Sequence, residues 1–329
     1  MKRVLVIIPA YNEEATVGQV VRVIQQNLIG FPSHEILVVD DGSDDETSIR
    51  ANAAGAQVVR HDVNRGLGAA FKTGLDYALE SRADVMVNID ADGQFSGADI
   101  PSLIAPILSG SADFAVGDRF APRSQRPANM PWVKYIGNAM MTRLINAITG
   151  RVFTDVSSGF RAYSFEALLR LNLHGGFTYT QESFLDLATK GMRICQVPVS
   201  VRYFSHRRSR ISGSVLRYAL NTLLIIFRTY RDHKPLRVFG WLGGLFVASG
   251  GSGGLVVLFH FLKAQQFSPY KYLALASAYL ITIGLGFWML GLVADMIGVT
   301  RRNQEQSLYL QRRASFAKRF PPTQGRDRP

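Results

Sequence analysis

"VMVNIDADGQF" (residues 85–95) joins an apolar run of β-formers to two aspartates one residue apart, followed by Gly-Gln. A short, nearly continuous apolar run is expected of a strand buried on both faces, as in a parallel sheet covered by helices. Asp90 and Asp92 flank Ala91 where that strand ends, so both carboxylates can turn toward one cleft edge. Two carboxylates this close repel, and a divalent cation relieves the repulsion while gaining hard oxygen ligands. Gln94 adds a neutral carbonyl oxygen on the same side. Mg2+ or Mn2+ would keep positions open for water and phosphate oxygens, so a diphosphate is the natural co-ligand. A purely structural Asp turn is the alternative on these residues alone.

The flanking sequence repeats the strand-then-polar pattern. "RVLVIIPA" (3–10), "HEILVVD" (34–40) and "AQVVRH" (56–61) read as further strands. "EATVGQVVRVIQQNL" (14–28), with Val17, Val20, Val21 and Ile24 on one side, reads as a helix, as does "GLGAAFKTGLDYALE" (66–80). Strands alternating with helices of this length imply an α/β domain with a mainly parallel sheet. In such sheets ligands bind at the carboxyl ends of the strands. "PAYNEE" (9–14), "DDGSDD" (40–45) and "DADGQ" (90–94) each follow an apolar strand, so all three belong on one edge. Asp45 and Ser48 alone would be turn or cap residues.

Mean hydropathy is +0.07 and 47% of residues are hydrophobic, high enough to require a search for membrane segments. Residues 239–262 and 272–294 each carry no formal charge and exceed the roughly 20 residues that cross a bilayer core. Only "LKAQQFSPYK" separates them, so they form a hairpin. The basic flanks "RDHKPLR", "RRNQ" and "QRR" place both hairpin ends on the cytoplasmic side. Between them and the sheet, residues 212–231 set an apolar face (Val215, Ala219, Leu223, Ile226, Phe227) against Arg217, Arg228 and Arg231, a pattern suited to the membrane interface. "MKRVLVIIPAYNEE" is no signal peptide, which places the N-terminal domain in the cytoplasm.

Charge divides the chain. Residues 1–186 hold 16 Lys/Arg and 21 Asp/Glu, a net of −5, whereas residues 187–329 hold 21 and 4, a net of +17. Beside two spans, anionic lipid headgroups explain the basic half better than nucleic acid does, so no nucleic-acid partner is expected. The single cysteine, Cys195, excludes an internal disulfide and any multi-cysteine metal site. The histidines other than His206 read as surface, cap or lipid-interface residues.

"IIPAYNEE", "VVDDGSDDET", "NRGLGAAFKTG", "NIDADGQF", "DVSSGFRAY" and "VPVSVRYF" come in the order and spacing of family-2 glycosyltransferases. Over about residues 3–235 the chain resembles the polyprenyl-phosphate group: the dolichol-phosphate mannose synthases and the bacterial undecaprenyl-phosphate glucosyltransferases. The resemblance implies a GT-A-type, Rossmann-like domain over 1–211, a juxtamembrane helix over 212–237, two transmembrane helices within 238–298 and a basic cytoplasmic tail over 299–329. It implies an integral protein of a bacterial or archaeal plasma membrane with both termini cytoplasmic.

It also implies roles. Pro9, Tyr11 and Glu13, with Val39 and Asp41, match positions that hold the nucleoside. Asp90, Ala91 and Asp92 match the metal–diphosphate motif, with Gln94 as a further metal ligand. Arg119 matches an arginine near the diphosphate. Asp155 lies in the acceptor-side motif beside Arg161, and Glu182 matches an acidic acceptor-region position. Lys134, Arg207, Arg208 and Arg210 are candidates for the lipid phosphate. Two departures stand out: Asp118 replaces a small hydroxyl in the usual Gly-Ser-Arg, and no glycine separates Arg208 from Ser209-Arg210.

The implied reaction moves one sugar from GDP-mannose or UDP-glucose to a polyprenyl phosphate with inversion, aided by Mg2+ or Mn2+, and a homo-oligomer is compatible with it. A processive polysaccharide synthase would carry Gln-x-x-Arg-Trp, absent here, and a non-catalytic adaptor would not need Asp90 and Asp92.

Overall fold

The computed structural model describes residues 2–31, 33–121, 126–173, 179–203 and 233–319, with 227, 230 and 231, apart from the side chains of residues 133 and 317–319. Two compact units emerge: residues 1–219 with 309–329, and residues 220–308. Arg207, Arg208, Arg210 and most of the expected juxtamembrane helix lie outside the described residues.

The first unit is built on seven strands: β1 (Val4–Ala10), β2 (His34–Asp40), β3 (Gln57–Arg60), β4 (Val85–Asn88), β5 (Phe114–Asp118), β6 (Arg161–Ser164) and β7 (Ile194–Pro198). Their order is β3-β2-β1-β4-β6-β5-β7. All run parallel except β6, which is antiparallel to β4 and β5. The helices are α1 (Val17–Asn27), α2 (Thr47–Ala53), α3 (Leu67–Glu80), α4 (Ile100–Leu108), α5 (Trp132–Thr149), α6 (Phe165–Arg170) and α7 (Tyr179–Thr189). Val4 to Ile8 are fully buried, as the uninterrupted apolar run predicts. On α1, Val17, Val20, Val21 and Ile24 are the buried face. Burial contributes about 1.5–3 kcal/mol per such side chain, which outweighs the weak helix propensity of β-branched residues.

The sheet opens at its carboxyl edge between β1 and β4. β1 pairs with β2 as far as Ala10–Asp40, but with β4 only to Ile7–Asn88, and the last bond is Ile89 N–H to the Ile7 carbonyl. Pro9, which has no N–H, sits in this interior strand just past the point where β4 would need a donor. The chain builds β2 and β3 on one side of β1 and then crosses to β4 on the other, the switch point where open α/β sheets bind ligands.

The second unit is a helical hairpin: α8 (Pro235–Ala264) and the first part of α9 (Lys271–Arg319). The two charge-free stretches fall inside these helices, and both are long and apolar enough to cross a membrane. Their surfaces are largely exposed, with Trp241, Leu245, Phe259 and Met289 facing outward, which a core helix of a soluble protein would not allow. Glycines bring the backbones together. A Cβ on Gly243 would lie 2.3 Å from Trp288 Cδ1, and one on Gly250 would lie 2.7 Å from the Ser277 carbonyl. Close approach at small residues is how apolar helices associate in lipid. α9 continues without a break through residue 319, so 299–319 are helical.

Candidate active site

Three loops at the open edge are laced together by side chain-to-backbone bonds. After β1, Asn12 N–H donates to Ser43 Oγ (2.9 Å) and Glu13 N–H to Thr47 Oγ1 (2.8 Å). Asn12 returns the contact through Oδ1, which accepts from Asp44 N–H at 2.9 Å. These bonds hold "PAYNEE" against "DDGSDD" and leave Tyr11 and Glu13 partly exposed at the edge, while Pro9 and Val39 are buried neighbours in the strands beneath. Asp45 makes an Asx-type turn, accepting from Thr47 N–H as well as from Glu14 N–H, and Ser48 donates to Asp40. Asp41 turns inward: its oxygens accept from Arg65 N–H at 2.9 Å and Gly66 N–H at 2.7 Å, and its Oδ1 lies 2.7 Å from His61 Nδ1. It therefore shapes the "NRGLG" loop that opens α3.

His61 is buried, against the expectation of a surface or cap residue. Nδ1–H donates to the Asp41 carboxylate and Nε2 lies 2.9 Å from Thr73 Oγ1. Its polar neighbours in "RHDVNRG" hid this, because its partners lie 20 and 12 residues away.

β4 ends at Asn88 and turns through Asp90-Ala91-Asp92, with Ala91 buried and the aspartates half-buried. A Cβ on Gly159 would lie 2.9 Å from Asp90 Oδ2, so a side chain here would push the carboxylate aside. Burial first, and the Asp92 charge second, push the Asp90 carboxyl up to about 7, against the pull of Arg119 and Arg161. That unrelieved repulsion is what a divalent cation would remove. Among the described residues no group of three or more His, Cys, Asp and Glu gathers elsewhere as a metal site, or here. Two carboxylates suit Mg2+ or Mn2+, which fill their remaining positions with water and phosphate oxygens. Gln94 supports Asp92 through its backbone: its N–H donates to Asp92 Oδ1 (3.0 Å) and its carbonyl accepts from Arg202 N–H (2.9 Å).

Two cations face the acidic pair. Arg119, just after β5, donates from Nε and Nη2 to both oxygens of fully buried Asp155, at 2.7 and 2.8 Å. Its Nη1–H donates to Tyr203 Oη at 3.1 Å. Burial alone would lower the guanidinium, but the Asp155 charge and hydrogen bonds outweigh it and hold Arg119 cationic. Lys134, on the first turn of α5, is lowered by burial and by the Arg119 charge, while Asp92 and Asp90 pull the other way. Lys134, Arg119, Asp90 and Asp92 thus share one electrostatic neighbourhood.

Asp155 is occupied. Besides Arg119 it accepts from Ser157 N–H at 3.2 Å, so it positions an arginine rather than presenting a free carboxylate. Asp118, the departure that threatened the diphosphate site, points elsewhere: it accepts from Phe120 N–H (2.8 Å) and Thr154 Oγ1, tying β5 to the 153–155 loop. Arg161 is fully buried and donates to the carbonyls of Ser158, Val156 and Thr180 and to Ser183 Oγ. It rivets the acceptor-side motif to α7, whose first turn carries Glu182. Tyr203 and Gly159 lie inside motifs recognised in the sequence, but their roles depend on contacts with distant residues.

Residues 5–171 match the profile of glycosyl transferase family 2. The chain belongs to this family. Residues 234–299 match the GtrB C-terminal hairpin. The glycosyltransferase is 32% identical over 248 residues to a UDP-N-acetylglucosamine–dolichyl-phosphate N-acetylglucosaminyltransferase of Methanococcus voltae, covering 69% of this chain and 96% of that one. It is 29% identical to a polyprenol monophosphomannose synthase of Mycolicibacterium smegmatis, covering 67% and 84%. Its fold resembles glucosyl-3-phosphoglycerate synthase from Mycobacterium tuberculosis in complex with Mn2+, UDP and glucosyl-3-phosphoglycerate, with a TM-score of 0.53 and 27% identity over 68% of this chain and 80% of that one. The enzyme is a GT-A glycosyltransferase related to polyprenyl-phosphate sugar transferases, with a candidate membrane hairpin.

Proposed function

We propose that the enzyme transfers a single hexosyl residue from a nucleoside diphosphate sugar to a polyprenyl phosphate at the cytoplasmic leaflet. The observation that carries this reading is that Arg119 and Lys134 carry their charges within electrostatic reach of the Asp90–Asp92 pair. Acids and cations facing one another suit a bound metal and phosphate oxygens between them. The hairpin, and the printed activities of the relatives, favour a lipid phosphate as acceptor.

Asp90 and Asp92 would hold Mg2+ or Mn2+, which would supply charge neutralisation for the departing diphosphate. Arg119 is preset for the same charge by Asp155 and Tyr203 and needs no reorganisation as the charge grows. An acceptor phosphate oxygen attacks the anomeric carbon, the bond to the diphosphate breaks, and the nucleoside diphosphate leaves with the bonding electrons. Because the second pKa of a phosphomonoester is about 6, the acceptor arrives largely as a dianion and no strong base is required. This agrees with an Asp155 that is committed to Arg119. A single displacement inverts the anomeric centre. Lys134 and the Arg207, Arg208 and Arg210 cluster would receive the acceptor phosphate, while Tyr11 and Glu13 flank the nucleoside.

The test is a donor panel of GDP-mannose, UDP-glucose and UDP-N-acetylglucosamine with polyprenyl phosphate and Mn2+. Lipid-dependent release of one nucleoside diphosphate is expected. Release that ignores the lipid with every donor would overturn the acceptor assignment.

A further inference from the structure

Neither family profile extends past residue 299, yet α9 runs on to Arg319. Its end is not a solvated tail. Tyr309, Arg312, Arg313 and Phe316 recur at spacings of three and four and so share one helix face. Tyr309 is 9% exposed, and its hydroxyl donates to Glu166 Oε1 at 2.8 Å while the Arg170 guanidinium stacks 4.4 Å above its ring. Arg312 Nη1–H reaches the carbonyls of Leu169 and Leu171 and Asn172 Oδ1, at 3.1–3.3 Å. These acceptors close the carboxyl end of α6, where unpaired carbonyls attract a cation. Phe316 meets Phe165 edge to face at 5.7 Å.

The receiving surface leads to the catalytic machinery. α6 follows β6, the strand that begins at Arg161, and Ser164 caps it. Asn172 N–H donates to Asp186 of α7, and Lys190, just past α7, donates to the Arg170 carbonyl. Residues 309–319 of α9 thus belong to the catalytic unit, while the same helix continues in sequence from the hairpin.

We infer that the Tyr309–Phe316 face of α9 is a second tether between the catalytic unit and the membrane hairpin, required for transfer to an acceptor embedded in a bilayer and dispensable for a short, water-soluble isoprenyl phosphate. The inference rests on the lipid-phosphate reading above. A docked second link raises the effective concentration of the site at the membrane surface without adding any contact to the substrate.

The experiment compares the full-length enzyme with Tyr309→Ala/Arg312→Ala/Phe316→Ala, and with the milder Arg312→Gln. Each is assayed on long-chain polyprenyl phosphate in phospholipid vesicles and on a two-isoprene phosphate in solution. Transfer to the vesicle acceptor is expected to fall about tenfold in the triple variant, with Arg312→Gln intermediate and the soluble reaction within about twofold. Amide exchange over 165–172 reports undocking directly and is expected to speed up in both variants. Equal losses on both acceptors would mean that the extension only supports α6 and α7, and would overturn the tether. An unchanged vesicle reaction in an undocked variant would also overturn it. Wild-type inactivity on both acceptors would sink the lipid-acceptor reading itself, whereas an active wild type with variants keeping its acceptor ratio would sink the tether alone.

Discussion

Asp155→Asn separates two roles for the acid of the "DVSSGFRAY" motif. Asp155 is fully buried and binds Arg119 through two bonds at 2.7 and 2.8 Å, with Arg119 N–H and Ser157 N–H both at 3.2 Å. The amide removes the counter-charge and turns one acceptor oxygen into a donor facing donors. Removing one partner of a buried pair destabilises by about 3–5 kcal/mol because the other charge is stranded. For a unit of this size that corresponds to a fall in Tm of roughly 10 °C. Arg119 then loses its aim, and turnover is expected to drop about a hundredfold, with weaker product inhibition by the nucleoside diphosphate. In an Arg119→Gln background the same change should cost little more, since the pair is already broken. Thermal unfolding, steady-state kinetics and product inhibition on the four proteins complete the cycle. An unchanged Tm and unchanged product inhibition, with the loss confined to one ionisation in the pH profile, would refute the clamp and make Asp155 a base.

Four further outcomes follow from the geometry. Asp90 is raised to about 7, so below that pH its proton competes with the metal: Mn2+ affinity should rise about tenfold from pH 6 to 8 in a direct titration. The metal-free protein should lose this group's share of stability as pH climbs from the ordinary carboxyl range through about 7, because the native state holds the proton more tightly there than the unfolded state does. Gly159→Ala places a methyl 2.9 Å from Asp90 Oδ2; the mobile carboxylate can yield, so Tm should barely change while metal affinity falls about tenfold. Gly243→Leu drives into Trp288 and the Gly284 carbonyl, whereas a Cβ at Gly244 meets nothing within 4 Å. Unfolding in detergent should show a loss of about 1–3 kcal/mol for the first and almost none for Gly244→Leu.

The first four strands were legible because buried parallel strands are continuous apolar runs, and the polar residues that end them mark the ligand edge. β4 stops at Asn88, two residues before Asp90, since the β1–β4 pairing parts there to open the cleft. The placement of β6, antiparallel between β4 and β5, had no local signal: it depends on pairings between residues more than 40 positions apart. The same limit governs the site. Asp90 and Asp92 could be read together because they are neighbours in sequence. The Arg119–Asp155 clamp spans 36 residues and its Tyr203 contact 84, so motifs located these residues without revealing that they touch. Asp118 stood out as an acid in place of a small hydroxyl beside Arg119, and its bonds point to Thr154 and Phe120. α9 read as a span followed by a tail because its apolar stretch ends near residue 298, while the Tyr309–Phe316 stripe needs the α6 surface to explain it.

Metal-assisted transfer of one sugar to a lipid phosphate leaves its signature in the mass of the product. Purified full-length enzyme with Mn2+, polyprenyl phosphate and the responsive donor should yield the lipid phosphate heavier by a single hexosyl residue. The product should vanish with a chelator and in Asp92→Ala. Nucleoside diphosphate release with no mass added to the lipid would rule out the lipid phosphate as acceptor, and full product formation by Asp92→Ala would rule out the metal site.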